Sequence, residues 1–463
     1  MTALHDMTAG ELLANYKARK LSPVEAVDAV IAHIEKWEPR LKALYAPDFD
    51  GARKAAKASE KRWQAGKPQG SLDGVPITIK ENIATKGVPV PLGTAATDLV
   101  PAADDAPAAA RVREAGAVIL AKTTMPDYGM LSSGRSSFHP LTRNPWNLAW
   151  TPGGWSAGAG AAAAAGYGPL HLGTDIGGSV RLPACWNGIF TLKPSLGRVP
   201  VDPPYFGRAI GPMTRTVADS ALLMAELSKP DRREHRSLPP VAIDWSGAPL
   251  EPKGLKIGLH LDAGSGLPVD AEVKAAVEAA AKTFAAAGAK VEPVAPFLSP
   301  DMLHLQDLFW RVRSWVDFSA LSHAKQASVL PYIPDWCRGG AHVSGATVIK
   351  AVANYMAIRA AAARATQPFD YVLSPVSPVP TYRAEWDTPT NDVQRPLEHI
   401  SFTMPYNMSE QPAASINCGC TREGKPIGLQ IAGHRFDDLG VMRVSRWFEE
   451  ARGSQKAWPE PPK

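Results

Sequence analysis

Two stretches hold residues whose types and spacing could do chemistry. The first is GTDIGGSVRLPA, Gly173 to Ala184, in which three glycines crowd Ser179. Glycines let consecutive backbone N–H groups converge on one small space, and such a nest binds an oxyanion. Ile176, Gly177, Gly178 and Ser179 are the candidate donors. The reaction such a nest would serve is acyl transfer, where each pre-oriented donor to the tetrahedral intermediate is worth about 3 to 4 kcal/mol. Taken alone, three glycines also make an ordinary turn. A phosphate loop is disfavoured, because no Gly-Lys-Ser/Thr follows.

The second is Lys80, which ends the apolar run GVPITIK. A strand there could carry the ammonium into a buried site, and burial lowers a lysine pKa. To act as a base near neutral pH the group must fall by about 3 units from about 10.4, which costs about 4 kcal/mol of interaction with the charged form. The bland alternative is a solvated lysine at a strand end. A third element, TPGGWSAGAGAAAAAG from Thr151 to Gly166, is a Gly-rich entry into a run of small residues that permits close backbone packing. It lacks a G-x-G-x-x-G match and a convincing preceding strand, which speaks against a dinucleotide loop.

The elements that must position these residues alternate between strand and helix. Ser22 and Pro23 lead into VEAVDAVIAHIEKW, whose Val24, Val27, Val30, Ile31 and Ile34 fall at helical spacing behind a Ser cap. GVPITIKEN and GAVILAKTT read as strands and APAAARVREAG as a helix, a succession that predicts an α/β sheet. At the other end FDYVLSPVSPVP and KPIGLQIAGHR read as strands and VMRVSRWFEEA as a closing helix. Ala157 to Gly168 reads as a buried helix, too short and too poor in Leu and Ile to span a bilayer. Lys229 to Gly254, rich in Pro and charge, reads as a surface connection before the strand LKIGLHLD. From Met302 to Ala320, Met302, Leu305, Leu308, Phe309, Val312, Trp315 and Val316 recur at helical spacing as an aromatic-heavy face. There is no clean domain break and no repeat of about 20 to 50 residues.

Composition excludes other classes. With 45% hydrophobic and 21% charged residues the chain is an ordinary globular one. Its formal charge of +5 is small for 463 residues and forms no basic block, so no nucleic-acid partner is expected. The cysteines, Cys185, Cys337, Cys418 and Cys420, are too sparse for a disulfide scaffold and lack a second close pair for zinc. The first twenty residues contain no apolar core of a secretory signal. The expectation is a cytoplasmic protein with reduced thiols and no membrane segment.

The lysine in GVPITIKEN, the Gly-Ser-rich stretch at Thr151 and the serine of GTDIGGSVRLPA, followed by TLKPSLGRVP, together resemble the amidase-signature family. The resemblance extends to REAGAVILAKTTMPDYG, TRNPWNLAWTPGG, FDYVLSPVSPVPTY, FTMPYNMSEQPAASINCG and GKPIGLQIAGHRFDD. It runs roughly from Leu21 to Glu450 and is weakest between Lys229 and Phe369. It implies one α/β domain over residues 1–463, a central mixed twisted sheet with helices on both faces. Within it, the signature core would cover about 71–200, a variable substrate-lining region about 229–365, and a return to the core about 366–450.

The resemblance also implies a Ser–cis-Ser–Lys triad with no metal or organic cofactor. In it Ser179 attacks the carbonyl, and Lys80 relays a proton to and from it through a bridging serine. None of the 11 histidines sits in a comparable motif. One departure stands out: the bridging serine is the first Ser of the family's GGSSGG, and that position here is Trp155. Ser156 is the natural substitute, but adjacent side chains point in different directions. The expectation is therefore that Lys80 works directly, through Ser156 or through a water, with reduced activity.

Substrate-pocket candidates are Met130, Leu131, Ser132 and Ser133 from MLSSGRSSFHP, and Phe309, Trp315 and Trp336 from the aromatic region that also holds Trp310, Phe318 and Tyr332. Many of these aromatics should be core instead. Such a pocket suits a hydrophobic or aryl amide, anilide or carbamate (urethane), taken by a monomer or homodimer. The rival readings are the glutaminase subunit of a tRNA-dependent amidotransferase, and a catalytically impaired variant or binding module.

Overall fold

The computed structural model describes residues 3–462. Eleven strands form one mixed sheet: β1 (Leu44–Tyr45), β2 (Pro76–Lys80), β3 (Val118–Thr123), β4 (Leu170–Asp175), β5 (Phe190–Lys193), β6 (Ala209–Thr214), β7 (Lys256–Leu259), β8 (Lys290–Pro293), β9 (Tyr371–Pro375), β10 (Ala413–Cys420) and β11 (Pro426–Gly433). Their order is β1-β3-β2-β4-β6-β5-β10-β11-β9-β7-β8. β2 is parallel to both β3 and β4, and β7 to both β8 and β9; the remaining pairs are antiparallel.

Strands β2, β4, β6, β9 and β11 are buried along their whole length, as expected of a sheet covered on both faces. The edge strand β8 reads Lys290-Val291-Glu292-Pro293 and is largely exposed. Charge and a terminal proline discourage further pairing there. Period-2 alternation decides which side chains of β2 go where. Ile77 and Ile79 join Leu170 and Leu172 of β4 in the larger core, beneath the helices Ala9–Lys17, Val217–Leu227, Ala271–Ala286 and Asp438–Ala451. Thr78 and Lys80 take the other face, where Thr78 Oγ1 meets His171 Nδ1 at 2.7 Å.

That second face is covered by the helices Pro23–Leu41 and Ala157–Ala165. Pro23–Leu41 starts as expected: Ser22 Oγ accepts from Glu25 N–H and Glu25 returns the bond to Ser22 N–H, with Pro23 at the first helical position. Ala157–Ala165 is wholly buried. A Cβ on Gly158 would lie 2.3 Å from the Ala43 carbonyl oxygen and 2.5 Å from Thr124 N, and one on Gly160 2.9 Å from Asn187 Nδ2. Small residues thus bring this helix against the strands on one side and the helix Arg181–Asn187 on the other.

The predicted strands and helices of both ends are present, and residues 228–255 hold no helix or strand. The expected aromatic face is not the buried one. In the helix Pro300–Ser319 the buried residues are Leu303, Gln306, Arg311, Ser314 and Phe318, while Val316 is 63% exposed. Polar groups can occupy the packed side because they find partners: Gln306 donates to Tyr355 Oη at 3.3 Å, and Arg311 bonds Asp307 at 2.6 Å and the Trp336 carbonyl at 3.1 Å. Among the described residues no helix is long and apolar enough to cross a membrane, and all four cysteines are unpaired.

Gly158→Ala is expected to cost about 1–3 kcal/mol, because its methyl meets backbone on two sides and neither neighbour can rotate away. The urea midpoint, read with its slope, measures this; an unchanged midpoint would show that the helix can shift.

Candidate active site

Lys80 is 1% exposed at the end of β2. Its Nζ donates to Ser156 Oγ and to Thr174 Oγ1, both at 3.0 Å, and Asn82 Nδ2 also donates to Thr174 Oγ1 at 3.1 Å. No carboxylate forms an ion pair with it among the described residues. Burial pushes the ammonium down to about 7 and the Arg208 charge adds to this, while Glu81 and Asp175 oppose it. Lys122 and Lys193 are also buried and pushed down to about 7. Lys122 is spent on the Ile83 carbonyl and Thr85 Oγ1, and Lys193 on the Pro194 carbonyl at 2.9 Å. Only Lys80 of the three lines the cavity described below.

Ser156 reaches Lys80, contrary to the expectation from its place beside Trp155. Gly153 at φ +98° and Trp155 at φ +67° put two left-handed residues in the turn, and Ser156 N–H closes on the Gly154 carbonyl at 2.9 Å. Ser156 is the residue before the first turn of Ala157–Ala165, and its hydroxyl also donates to the Thr174 carbonyl at 3.3 Å. A positive φ is uncommon for a bulky residue and strains the backbone. The Trp155 indole turns instead to the cavity and stacks on His399, with centroids 5.8 Å apart and planes at 14°. His399 Nε2 in turn lies 2.7 Å from Ser132 Oγ, and burial holds the imidazole neutral, down to about 3.

The Gly173 to Ala184 stretch leaves β4, makes a tight turn and enters the helix Arg181–Asn187. Asp175 organises the turn. Its carboxylate accepts from Gly178 N–H at 2.8 Å, Val180 N–H at 3.2 Å, Arg181 Nε at 3.1 Å and Nη2 at 3.0 Å, and Asn407 Nδ2 at 2.9 Å. Burial alone would raise this carboxyl, but the Arg181 charge and these bonds outweigh it and hold it well below the usual range. Arg181 is completed by the Thr403 carbonyl, Gln430 Oε1 (both 2.8 Å) and Asn407 Oδ1 at 2.5 Å. Gly178 adopts φ +130°, and a Cβ there would lie 2.6 Å from Thr403 Oγ1. Ser179 therefore sits between two amides that are already held. Gly178, one of the four expected oxyanion donors, is removed from that role by Asp175. Ile176, Gly177 and Ser179 line the cavity, and their N–H groups have no backbone or side-chain acceptor among the described residues.

The cavity has a volume of about 280 Å³. Leu92, Met125, Met130, Trp155, Trp310, Trp336, Leu397 and Ile400 supply its apolar surface, and Lys80, Asn82, Thr174, Ser179, Tyr205, Arg208, Arg313 and Asp317 its polar groups. Of the expected substrate contacts, Met130 and Trp336 are on this surface and five are not. Leu131 packs with Phe318 and Ile333, Ser132 and Ser133 are buried behind the wall, Phe309 meets Tyr355 edge-on at 5.2 Å, and Trp315 turns to Phe318 at 6.2 Å. The helix Pro300–Ser319 faces the cavity through Trp310, Arg313, Ser314 and Asp317. Their i, i+3, i+4, i+7 spacing was available in the sequence, but it marks a mixed stripe and not an apolar one. Tyr205 and Arg208 had no motif to reveal them.

The profile of the amidase family matches residues 25–442. A glutamyl-tRNA(Gln) amidotransferase subunit of Myxococcus xanthus is 33% identical, over 96% of this chain and 97% of its own. An acylamidase of Rhodococcus erythropolis is 30% identical, over 97% and 96%. Among solved structures, a bacterial aryl acylamidase of the amidase-signature family superposes with a TM-score of 0.90 at 31% identity, covering 97% of both chains. 6-Aminohexanoate cyclic dimer hydrolase complexed with substrate gives 0.87 at 25% identity, covering 97% of this chain and 98% of its own.

Lys80→Met is expected to stabilise the fold, since Ser156 and Thr174 each keep another partner while a buried ammonium is removed. With a pKa near 7 folded and about 10.4 unfolded, the penalty is complete below about pH 7, about 5 kcal/mol, and fades as pH approaches 10.4. Urea melts of both proteins at low and high pH check this. A gain that is the same at both pH values would mean that Lys80 titrates normally.

Proposed function

The chain belongs to the amidase family, and we propose that it hydrolyses the C–N bond of a hydrophobic or aryl amide, anilide or carbamate through an acyl-enzyme on Ser179. The observation that carries this reading is the 3.0 Å contact between Lys80 Nζ and Ser156 Oγ at the cavity that Ser179 also lines. Neutral Lys80 takes the proton of Ser156, and Ser156 takes that of Ser179 as its oxygen attacks the carbonyl carbon. The oxyanion is met by the N–H groups of Ile176, Gly177 and Ser179. The proton returns through Ser156 to the leaving nitrogen as the C–N bond breaks. Water, deprotonated along the same path, then releases the acid, or the carbonic monoester when the substrate is a carbamate.

The indole and thioether lining supports an apolar acyl or aryl group over the polar side chain of glutamine. The amidotransferase reading draws its support from the names of relatives such as the Myxococcus protein, which this chain matches along nearly its whole length.

A fluorophosphonate probe is expected to label Ser179 and to leave Ser179→Ala unlabelled. A panel of amides, anilides, esters and carbamates should show turnover by the chain on its own. Its kcat/KM should rise with pH through about 7, because the base is the neutral form of Lys80. No adduct would favour a binding module, and glutaminase activity that needs partner proteins would favour the amidotransferase.

Ser156→Ala is expected to lower kcat by about 10²- to 10⁴-fold, the usual worth of a positioned proton carrier. Trp155→Ser should not raise it, since Ser156 already meets the lysine. A faster Trp155→Ser enzyme would assign the relay to position 155.

A further inference from the structure

Part of the cavity wall makes no hydrogen bond with Lys80, Ser156 or Ser179. Tyr205 and Arg208 lie just before β6, and Arg313 and Asp317 lie on the helix Pro300–Ser319; all four line the cavity that holds Ser179. Both guanidiniums approach the same phenol ring, Arg208 at 5.4 Å and Arg313 at 4.7 Å from its centroid. Arg313 has a carboxylate, Asp317, at 3.7 Å. Arg208 has none. Its hydrogen bond to the Pro203 carbonyl is a long one, 3.4 Å, and its Nε is buried without an acceptor. The charges that act on it are Arg313 and Arg236, both cations, while burial pushes the Tyr205 phenol up and keeps it neutral. The Tyr205 hydroxyl is also buried without a partner.

A guanidinium carries five N–H donors; that of Arg208 is half-buried, and its Nε, closed off from solvent with no acceptor, is the costly one. Burial, with Arg313 adding to it, pushes Arg208 down to about 10, so it stays charged at neutral pH. Proteins satisfy such groups with carboxylates, backbone carbonyls or ligands; here no carboxylate is in place, and the one carbonyl sits at the far limit of a hydrogen bond. An apolar cavity with one unpaired cation and one orphaned hydroxyl on its wall has the chemistry of a receptor for an anionic group on an otherwise apolar molecule.

We propose that Arg208, with the Tyr205 hydroxyl beside it, is a subsite for a carboxylate carried by the substrate. The reaction partner is then an aryl or alkyl amide, anilide or carbamate that bears a free carboxylate away from the scissile bond. This rests on the hydrolase reading for what occupies the cavity. Arg208 is a specificity residue, not a catalytic one, and Arg313, already paired with Asp317, adds field and not a second contact.

The test compares three anilides: pentananilide, glutaric acid monoanilide with the carboxylate on the acyl side, and 4-(pentanoylamino)benzoate with it on the leaving amine. Substrates are compared as ratios within each variant at about pH 8, so that a change in the Lys80 base on loss of the Arg208 charge cancels. At least one carboxylate substrate should exceed pentananilide in kcat/KM by about tenfold to a hundredfold, the range for a charge-assisted hydrogen bond. Arg208→Gln should abolish that ratio and Arg208→Lys should keep part of it. Tyr205→Phe, which removes only the hydroxyl, should lower it several-fold. Calorimetric titration of the same three compounds into Ser179→Ala reads the preference without turnover. Turnover of all three with no carboxylate preference, or a preference that survives Arg208→Gln, overturns the subsite and leaves the hydrolase standing. A carboxylate preference in binding with no turnover of any compound by the unmodified enzyme keeps the subsite and overturns the hydrolase reading. Absence of both overturns both.

Discussion

Asp175 and Arg181 bury a carboxylate and a guanidinium beside Ser179, and the shape of the site follows from how completely the two are satisfied. Such a pair is weak evidence of stability, because desolvation consumes much of the Coulomb attraction. Its value here is geometric. The carboxylate collects Gly178 and Val180 N–H from the turn and Asn407 from the helix Met404–Met408, while the guanidinium reaches Thr403 and, on β11, Gln430. One ion pair thus ties the end of β4, the turn, the helix behind it and the far half of the sheet into one body. By taking the amides on either side of Ser179, it leaves those of Ile176, Gly177 and Ser179 without a protein acceptor among the described residues, at the cavity they line.

A second constraint is desolvation of an amine that has no carboxylate against it. Three lysines of this chain meet that condition, so a lowered pKa alone does not mark a base. What separates Lys80 is its neighbours: two hydroxyls, one of them Ser156, and an open cavity. Ser156 is brought there by the small-residue helix that follows it. If Ala157–Ala165 carried larger side chains it would stand off from the strands, and the hydroxyl would withdraw from the lysine. The glycines and alanines of that run and the alternation along β2 therefore act on the same contact.

Much of this was legible in the sequence. Alternating β-branched and helical runs pointed to an α/β sheet, the run GVPITIK placed Lys80 at a strand end, and the crowded glycines placed Ser179 in a turn. Three features were hidden because none is a property of local pattern. Which N–H groups of the turn remain free depends on Asp175 choosing Gly178 and Val180, a choice made by Arg181 and by Asn407, which is 232 residues away along the chain. Which stripe of Pro300–Ser319 faces the cavity depends on Gln306 and Arg311 finding partners on the Tyr355 and Trp336 segments, which lets polar residues take the packed side. Where Ser156 points depends on a backbone dihedral, the positive φ of Trp155, that no propensity scale would assign to tryptophan.

That dihedral also bears on the departure at position 155. With Trp155 left-handed, the hydroxyl of 156 meets Lys80 and the indole of 155 is cavity wall, stacked on His399, which in turn lies against Ser132. One turn therefore sets both the hydroxyl that meets Lys80 and the shape of the pocket. A small side chain at 155 would remove a surface that stacks on His399 and open the cavity beside Met125 and Met130, while offering the lysine a hydroxyl it already has. Trp155 thus contributes apolar wall to the cavity, and the hydroxyl beside Lys80 comes from its neighbour.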